Sequence, residues 1–102
     1  MLNSRQRAWL RARANQLESS FQIGKSDLTP SVIDDLSALL TTHELVKVHV
    51  LKSAETSATQ LAEAAAAAVG GDVVQVIGHR FVLYRFSEKL AKQQKNLQLP
   101  RI

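Results

Sequence analysis

The hydrophobic positions of this chain change period several times, and each change marks an element. Leu10, Ala14 and Leu17 are spaced i, i+4 and i+7, which predicts a first helix with one buried stripe, capped by Asn3 or Ser4 and running to about Leu17. Arg7 and Arg11 fall together on a neighbouring face of that helix. Residues 20–23 read as a short strand closed by Gly24-Lys25. Thr29-Pro30 is an N-cap followed by proline at the first helical position, where its missing N–H costs no hydrogen bond. In the helix that follows, Val32, Ile33, Leu36, Leu39 and Leu40 recur with helical spacing. Asp34, Asp35 and Ser37 take the other side, the two acids lying in the first turns where the helix dipole favours them.

The period then shortens to two. Val46, Val48 and Val50 alternate with Lys47 and His49, a strand with one face buried and the other open to solvent or ligand. Ser57 with Gln60 three residues on is a capping pair for an alanine-rich helix whose stripe is Leu61, Ala64, Ala65, Ala68 and Val69, ended by Gly70-Gly71. Small residues on such a stripe let a helix pack closely against a sheet. The runs DVVQVIG and FVLYRF flank a tight Gly78-His79-Arg80 connection and read as a hairpin. From about residue 87 the chain is polar and basic, helical at first and frayed at its end. The order α-β-α-β-α-β-β predicts an α/β two-layer sandwich: a four-stranded mixed sheet with helices packed on one face and its other face showing.

Composition narrows what such a fold can do. At 102 residues and 45% hydrophobic content, one domain with a buried core is expected, spanning residues 1–102. With no cysteine there are no disulfides, thiol nucleophiles or thiolate zinc sites. The longest uncharged stretch, the alanine tract after Glu63, falls far short of the roughly 20 apolar residues of a membrane span. Charges interrupt the N-terminal segment where a secretory signal would be apolar, so a cytoplasmic protein is expected.

The net charge of +4 is unevenly spread. Arg5, Arg7, Arg11, Arg13 and Lys25 oppose a single acid in residues 1–25, and Arg80, Arg85, Lys89, Lys92, Lys95 and Arg101 oppose one in the last thirty. Seven acids lie between them against Lys47 and Lys52. A surface for a polyanion would be assembled from the two ends of the chain.

Catalytic constellations are missing from the sequence. His43, His49 and His79 sit on three elements without metal-ligand spacing, so no metal is expected. Asp34 and Asp35 are adjacent on a helix and diverge by about 100 degrees, which is wrong for sharing a proton. No serine stands in a nucleophile turn and no glycine-rich loop has phosphate-binding spacing. The expectation is a protein without enzymatic activity, cofactor or small-molecule substrate.

The segments GKSDLTP, HELVKVHVL, GGDVVQVIGHRFVLYR and the terminal LPR resemble the CRM domain (chloroplast RNA splicing and ribosome maturation) in its free-standing bacterial, YhbY-like form. The likeness runs from about Leu10 to Arg101. It implies a fold like the C-terminal domain of a bacterial translation initiation factor, and RNA binding without catalysis. It also implies association with precursors of the large (50S) ribosomal subunit through ribosomal RNA. The family's RNA-contacting loop is written GxxG and is compared with that of KH domains. Here it reads Gly78-His79-Arg80-Phe81, with phenylalanine where the second glycine would be, which shifts weight from a backbone clamp to Arg80 as a phosphate contact. Phe81 either packs at the start of a strand or stacks on a base.

Gly24-Lys25 matches the family's other glycine-lysine turn, and Lys47, His49 and Arg85 are placed on strand positions opposite buried valines. With Arg7 and Arg11 they would form a basic surface, beside which Trp9 is either partial core or a stacking platform. A monomer is expected. The alternative from another class is a protein-interaction adaptor whose basic surface binds an acidic protein.

Overall fold

Side-chain caps set where each helix of the computed structural model begins; the structure describes residues 2–25 and 28–100. Ser26, Asp27 and Arg101, which belong to the motifs quoted above, lie outside the described residues. Asn3 opens α1 (Ser4–Ala14) through a reciprocal box in which its side chain accepts from the Gln6 N–H at 2.8 Å and the Gln6 carboxamide accepts from the Asn3 N–H at 3.2 Å. Thr29 caps α2 (Pro30–His43) by accepting from Val32, with Pro30 in the first turn. Ser57 caps α3 (Ala58–Val69) by accepting from Gln60, and Ser87 caps the short α4 (Glu88–Lys92) by accepting from Leu90. Gly70 ends α3 at a φ of 70°, a left-handed conformation that glycine adopts at little cost.

The strands are β1 (Phe21–Ile23), β2 (Leu45–Val50), β3 (Asp72–Ile77) and β4 (Arg80–Tyr84). They form one mixed sheet in the order β1-β2-β4-β3, with β1 parallel to β2 and the other pairs antiparallel. The four-stranded mixed sheet and the order of elements are as expected, α4 being the helical start of the tail.

One face of the sheet carries Ile23, Val46, Val48, Val50, Phe81 and Leu83 into a core with Leu36 and Leu40 of α2 and the small residues of α3. The stripe of α3 is turned from the expected one. Ala58, Ala62 and Ala66 are buried beside Leu61, Ala65 and Val69, while Ala64 and Ala68 are exposed. A run of identical alanines leaves the rotation of a helix undetermined by hydrophobicity, and contact with the sheet decides it.

The second face is not bare. Leu2, Leu10 and Ala14 pack there with Leu45, Val74, Val82 and Tyr84, and the partly buried Trp9, Leu97 and Leu99 join them. Thus α2 and α3 share one face, as the two-layer reading has it, whereas α1 and the end of the tail lie on the other. The run FVLY in β4 encodes this, because a strand apolar at successive positions is buried on both faces. α1 stops at Ala14 rather than near Leu17, and Leu17 is 40% exposed instead of joining the stripe. The Lys47 ammonium donates to the carbonyls of Ala14 and Leu17 at 3.2 and 3.1 Å, closing the helix end from below.

The tail is docked as far as residue 100 instead of frayed. Glu44, fully buried at the end of α2, accepts through its carboxylate from the backbone N–H groups of Ser87 at 2.7 Å and Leu97 at 2.6 Å. The Gln6 carboxamide donates to the Pro100 carbonyl at 3.1 Å. Among the described residues no helix is long and apolar enough to cross a membrane.

Tyr84 links the sheet to this network. Its hydroxyl is pushed up from 10.0 to about 12, first by burial and then by the Glu44 and Asp72 carboxylates, all of which disfavour a phenolate. The folded state therefore holds this proton more tightly than the unfolded chain. Stability contributed by Tyr84 is complete below about pH 10 and is lost as the pH rises towards 12. Alkaline melting should show this loss in the parent, and Tyr84→Phe should remove that component. Identical alkaline profiles for the two would mean that Tyr84 titrates alike in both states.

Candidate functional site

Three connections meet at one end of the sheet. They are the turn after β1 with Gly24-Lys25, the loop from β2 to α3, and the β3–β4 turn at Gly78-His79. Backbone bonds fix their closeness: Leu51 N–H donates to the Ile23 carbonyl at 2.8 Å, and Val50 N–H to the His79 carbonyl at 2.6 Å. A Cβ on Gly24 would stand 3.3 Å from the Ser53 hydroxyl, tight enough that the two loops would have to part slightly. Gly78 has a φ of +57° in a two-residue hairpin turn, where glycine at the first position suits the strand twist. A Cβ there would meet nothing within 4 Å, so the turn asks for glycine through its backbone and leaves open space above it.

Between this turn and the first turn of α3 runs an open groove of about 410 Å³, lined by Lys52, Glu55, Ser57, Gly78 and His79 among others. On the other side of the turn, the register places Gln22, His49, Arg80 and Ile77 in one row across all four strands. Arg80 is the first residue of β4 rather than part of the turn, and it is exposed. Lys25 and Lys52 are also exposed, and among the described residues none of these three cations has a hydrogen-bond or ion-pair partner. Lys52 carries no sequence signal beyond its place after β2, and only the fold brings it to the turn.

The other expected site residues are distributed differently. Arg11 is exposed on α1, whereas Arg7 is half-buried and donates through Nε to the Val73 carbonyl at 3.3 Å. Lys47 lies on β2 as expected, but its ammonium is held by the end of α1. Arg85 lies beyond the end of β4, not on a strand. Its guanidinium donates to the Ser37 hydroxyl and the Val69 carbonyl, both at 2.9 Å, and to the Ser37 carbonyl and the Thr41 hydroxyl, both at 2.7 Å. These bonds tie α2 to the end of α3, and they explain why a solvated arginine is not what the structure has at this position. Phe81 is fully buried in the main core, which decides between its two readings in favour of packing. Trp9 is partly buried against α1's own cluster, with the Arg13 guanidinium 4.8 Å above its ring.

The end of the sheet thus offers unpaired cations, a glycine turn and a shallow groove. Among the described residues there is no group of three His, Asp or Glu side chains placed to hold a metal ion. Such a surface can attract phosphates and hold a polyanion by its backbone.

Known proteins resemble this chain over nearly its whole length. The profile of the CRS1 / YhbY (CRM) domain matches residues 2–85. A Bacillus subtilis (strain 168) protein named "Probable RNA-binding protein YqeI" is 35% identical over 100 residues, covering 98% of this chain and all of the relative. A Haemophilus influenzae protein named "RNA-binding protein" is 32% identical over 100 residues, covering 98% of this chain and 96% of that one. The solution structure of the hypothetical protein SAV1595 from Staphylococcus aureus superposes with a TM-score of 0.78 at 35% identity, covering 98% of this chain and 100% of the other. On sequence and fold together, this chain belongs to the CRS1 / YhbY (CRM) domain family.

Proposed function

We propose that this protein binds RNA without catalysis, through the end of the sheet that gathers Lys25, Lys52, Gly78, His79 and Arg80. The gathering of unpaired cations around a glycine turn is the observation that carries this reading. Relatives named as RNA-binding proteins across nearly the full chain support it. The RNA is ribosomal RNA in precursors of the large (50S) subunit, which the protein occupies during maturation and then leaves; this part rests on the family resemblance. It acts in the cytoplasm as a monomeric single domain. Gly24 and Arg11 extend the surface, while Arg7, Lys47 and Arg85 support it from within the fold.

Sedimentation of cell extracts tests the assignment to large-subunit precursors: the protein should travel with them and not at the top of the gradient. Binding to a precursor ribosomal RNA fragment tests the surface. With Lys25, Lys52, Arg80 and Arg11 reaching phosphates, log K against log salt should fall with a slope of about −3. Arg80→Ala should leave melting unchanged, weaken binding and reduce the slope by about one. Gly78→Val should weaken binding with no charge lost, because it forces a β-branched residue into a positive φ. If both variants bind like the parent, the RNA surface lies elsewhere. If excess RNA fails to compete while an acidic polypeptide does, the adaptor reading replaces this one.

A further inference from the structure

β3 is bulged. Val73 pairs with Leu83 and Gln75 with Val82, so Val74 is left without a partner in the ladder. The consequence is that two successive residues point to the same side: Val74 goes under α1, and Gln75 follows it on that face, where simple alternation would have sent it into the main core. Beyond the end of α1 this face forms a small pocket of about 110 Å³, lined by Asn15, Lys47, Gln75, Ile77, Arg80 and Val82. Its floor is apolar, Val82 being 1% exposed, and Ile77 at its rim is 62% exposed. Its polar groups are two carboxamides, one guanidinium and the Lys47 ammonium, the last already held by the carbonyls of Ala14 and Leu17. Among the described residues the side chains of Asn15, Gln75 and Arg80 have no hydrogen-bond partner, so their donors and acceptors are available to a ligand.

We propose that this pocket, between the end of α1 and the bulged half of β3, takes one unpaired nucleobase of the bound RNA. The inference rests on the RNA-binding reading above and adds a site for base recognition to a surface otherwise made for phosphates. The space is well below the roughly 300 to 1,000 Å³ of a cofactor or drug-sized pocket, and suits a single flat ring. Carboxamides carry a donor and an acceptor side by side, the pattern that pairs with a base edge. Val82 and Ile77 supply an apolar surface for the ring, and the Arg80 guanidinium is placed to lie over it or to take its phosphate. A paired base could not enter, because its edge is already occupied, so the ligand is an unstacked residue of a loop or bulge.

The test uses the full chain and two stem–loop RNAs of one sequence, the second carrying abasic sugars in place of the loop bases so that every phosphate is kept. The parent should bind the intact loop about tenfold more tightly than the abasic one. The variant Asn15→Ala/Gln75→Ala should lose most of that preference, with the salt slope of the parent and unchanged melting. Gln75→Glu, which keeps the shape of the side chain but exchanges a donor for an acceptor and adds a negative charge, should weaken binding to both RNAs and reduce the preference for the intact loop. If the parent does not distinguish the two RNAs, or if the double variant keeps the full preference of the parent, the pocket does not read a base. The RNA-binding reading then stands as long as Arg80→Ala still weakens binding. Absence of salt-sensitive binding of the parent to either RNA would overturn that reading, and the pocket with it.

Discussion

Leu36→Ala is expected to lower the stability of the folded chain by about 2 to 5 kcal/mol. Leu36 is fully buried where α2 meets the sheet, in one cluster with Leu40, Ile23, Val48 and Phe81. Truncation removes apolar contacts and leaves a cavity that a close-packed sandwich cannot easily close, since α2 is also held at Ser37 and Thr41 by the bonds from Arg85. Domains of this size have about 5 to 15 kcal/mol to lose, so a large part of the population would unfold at moderate temperature. The denaturant midpoint should fall while the slope of the transition stays constant, which separates a loss of stability from a change in the unfolded ensemble. Leu39→Ala, on a partly buried position of the same helix, should cost less. Melting of Leu36→Ala within a degree or so of the parent would mean that another face of α2 carries the packing.

What could be read in advance follows from how local each signal is. Caps at Asn3, Thr29 and Ser57 act within three residues, and the alternation in β2 acts within six, so both are written in contiguous sequence. The same holds for the hairpin turn at Gly78-His79, although Arg80, read as part of the turn, is the first residue of β4. By contrast, the side on which α1 lies depends on which strand is apolar on both faces, a property of β4 some seventy residues away. The fates of Lys47 and Arg85 are equally non-local. Each was legible as a cation and illegible as a helix-end donor, because its partners are carbonyls and hydroxyls brought from other elements. A charge count therefore overstates the surface available to RNA. The bulge at Val74 is non-local too, since only pairing with β4 shows which residue is in excess. Glu44 gave no signal at all: an acid between a helix and a strand is ordinarily solvated.

Glu44→Ala should nevertheless be among the most damaging single changes, at about 3 kcal/mol or more. The carboxylate accepts from two backbone N–H groups of the tail, and both would lose their acceptor, Ser87 in a buried place and Leu97 in a half-buried one. Glu44 also has a φ of 62° with a ψ of −37°, a strained conformation for a residue with a Cβ. Three substitutions separate the two effects. Glu44→Gln keeps the shape and one acceptor oxygen and should cost least. Glu44→Ala loses both hydrogen bonds and keeps the backbone strain. Glu44→Gly loses the same bonds but relieves the strain, so it should recover about 1 kcal/mol relative to alanine. The tail supplies the independent readout. In the parent the Leu97 amide should be protected from hydrogen exchange, and in Glu44→Ala it should exchange near the rate of a free peptide while the amides of β2 and β4 stay protected. Truncation after Lys95 removes Leu97, Leu99 and the Gln6 contact to Pro100 together. Its cost should be smaller in the Glu44→Ala background than in the parent, because the two changes break the same attachment. Full additivity would mean that the tail is held by its leucines alone and that the buried carboxylate serves only Ser87 and the start of α4.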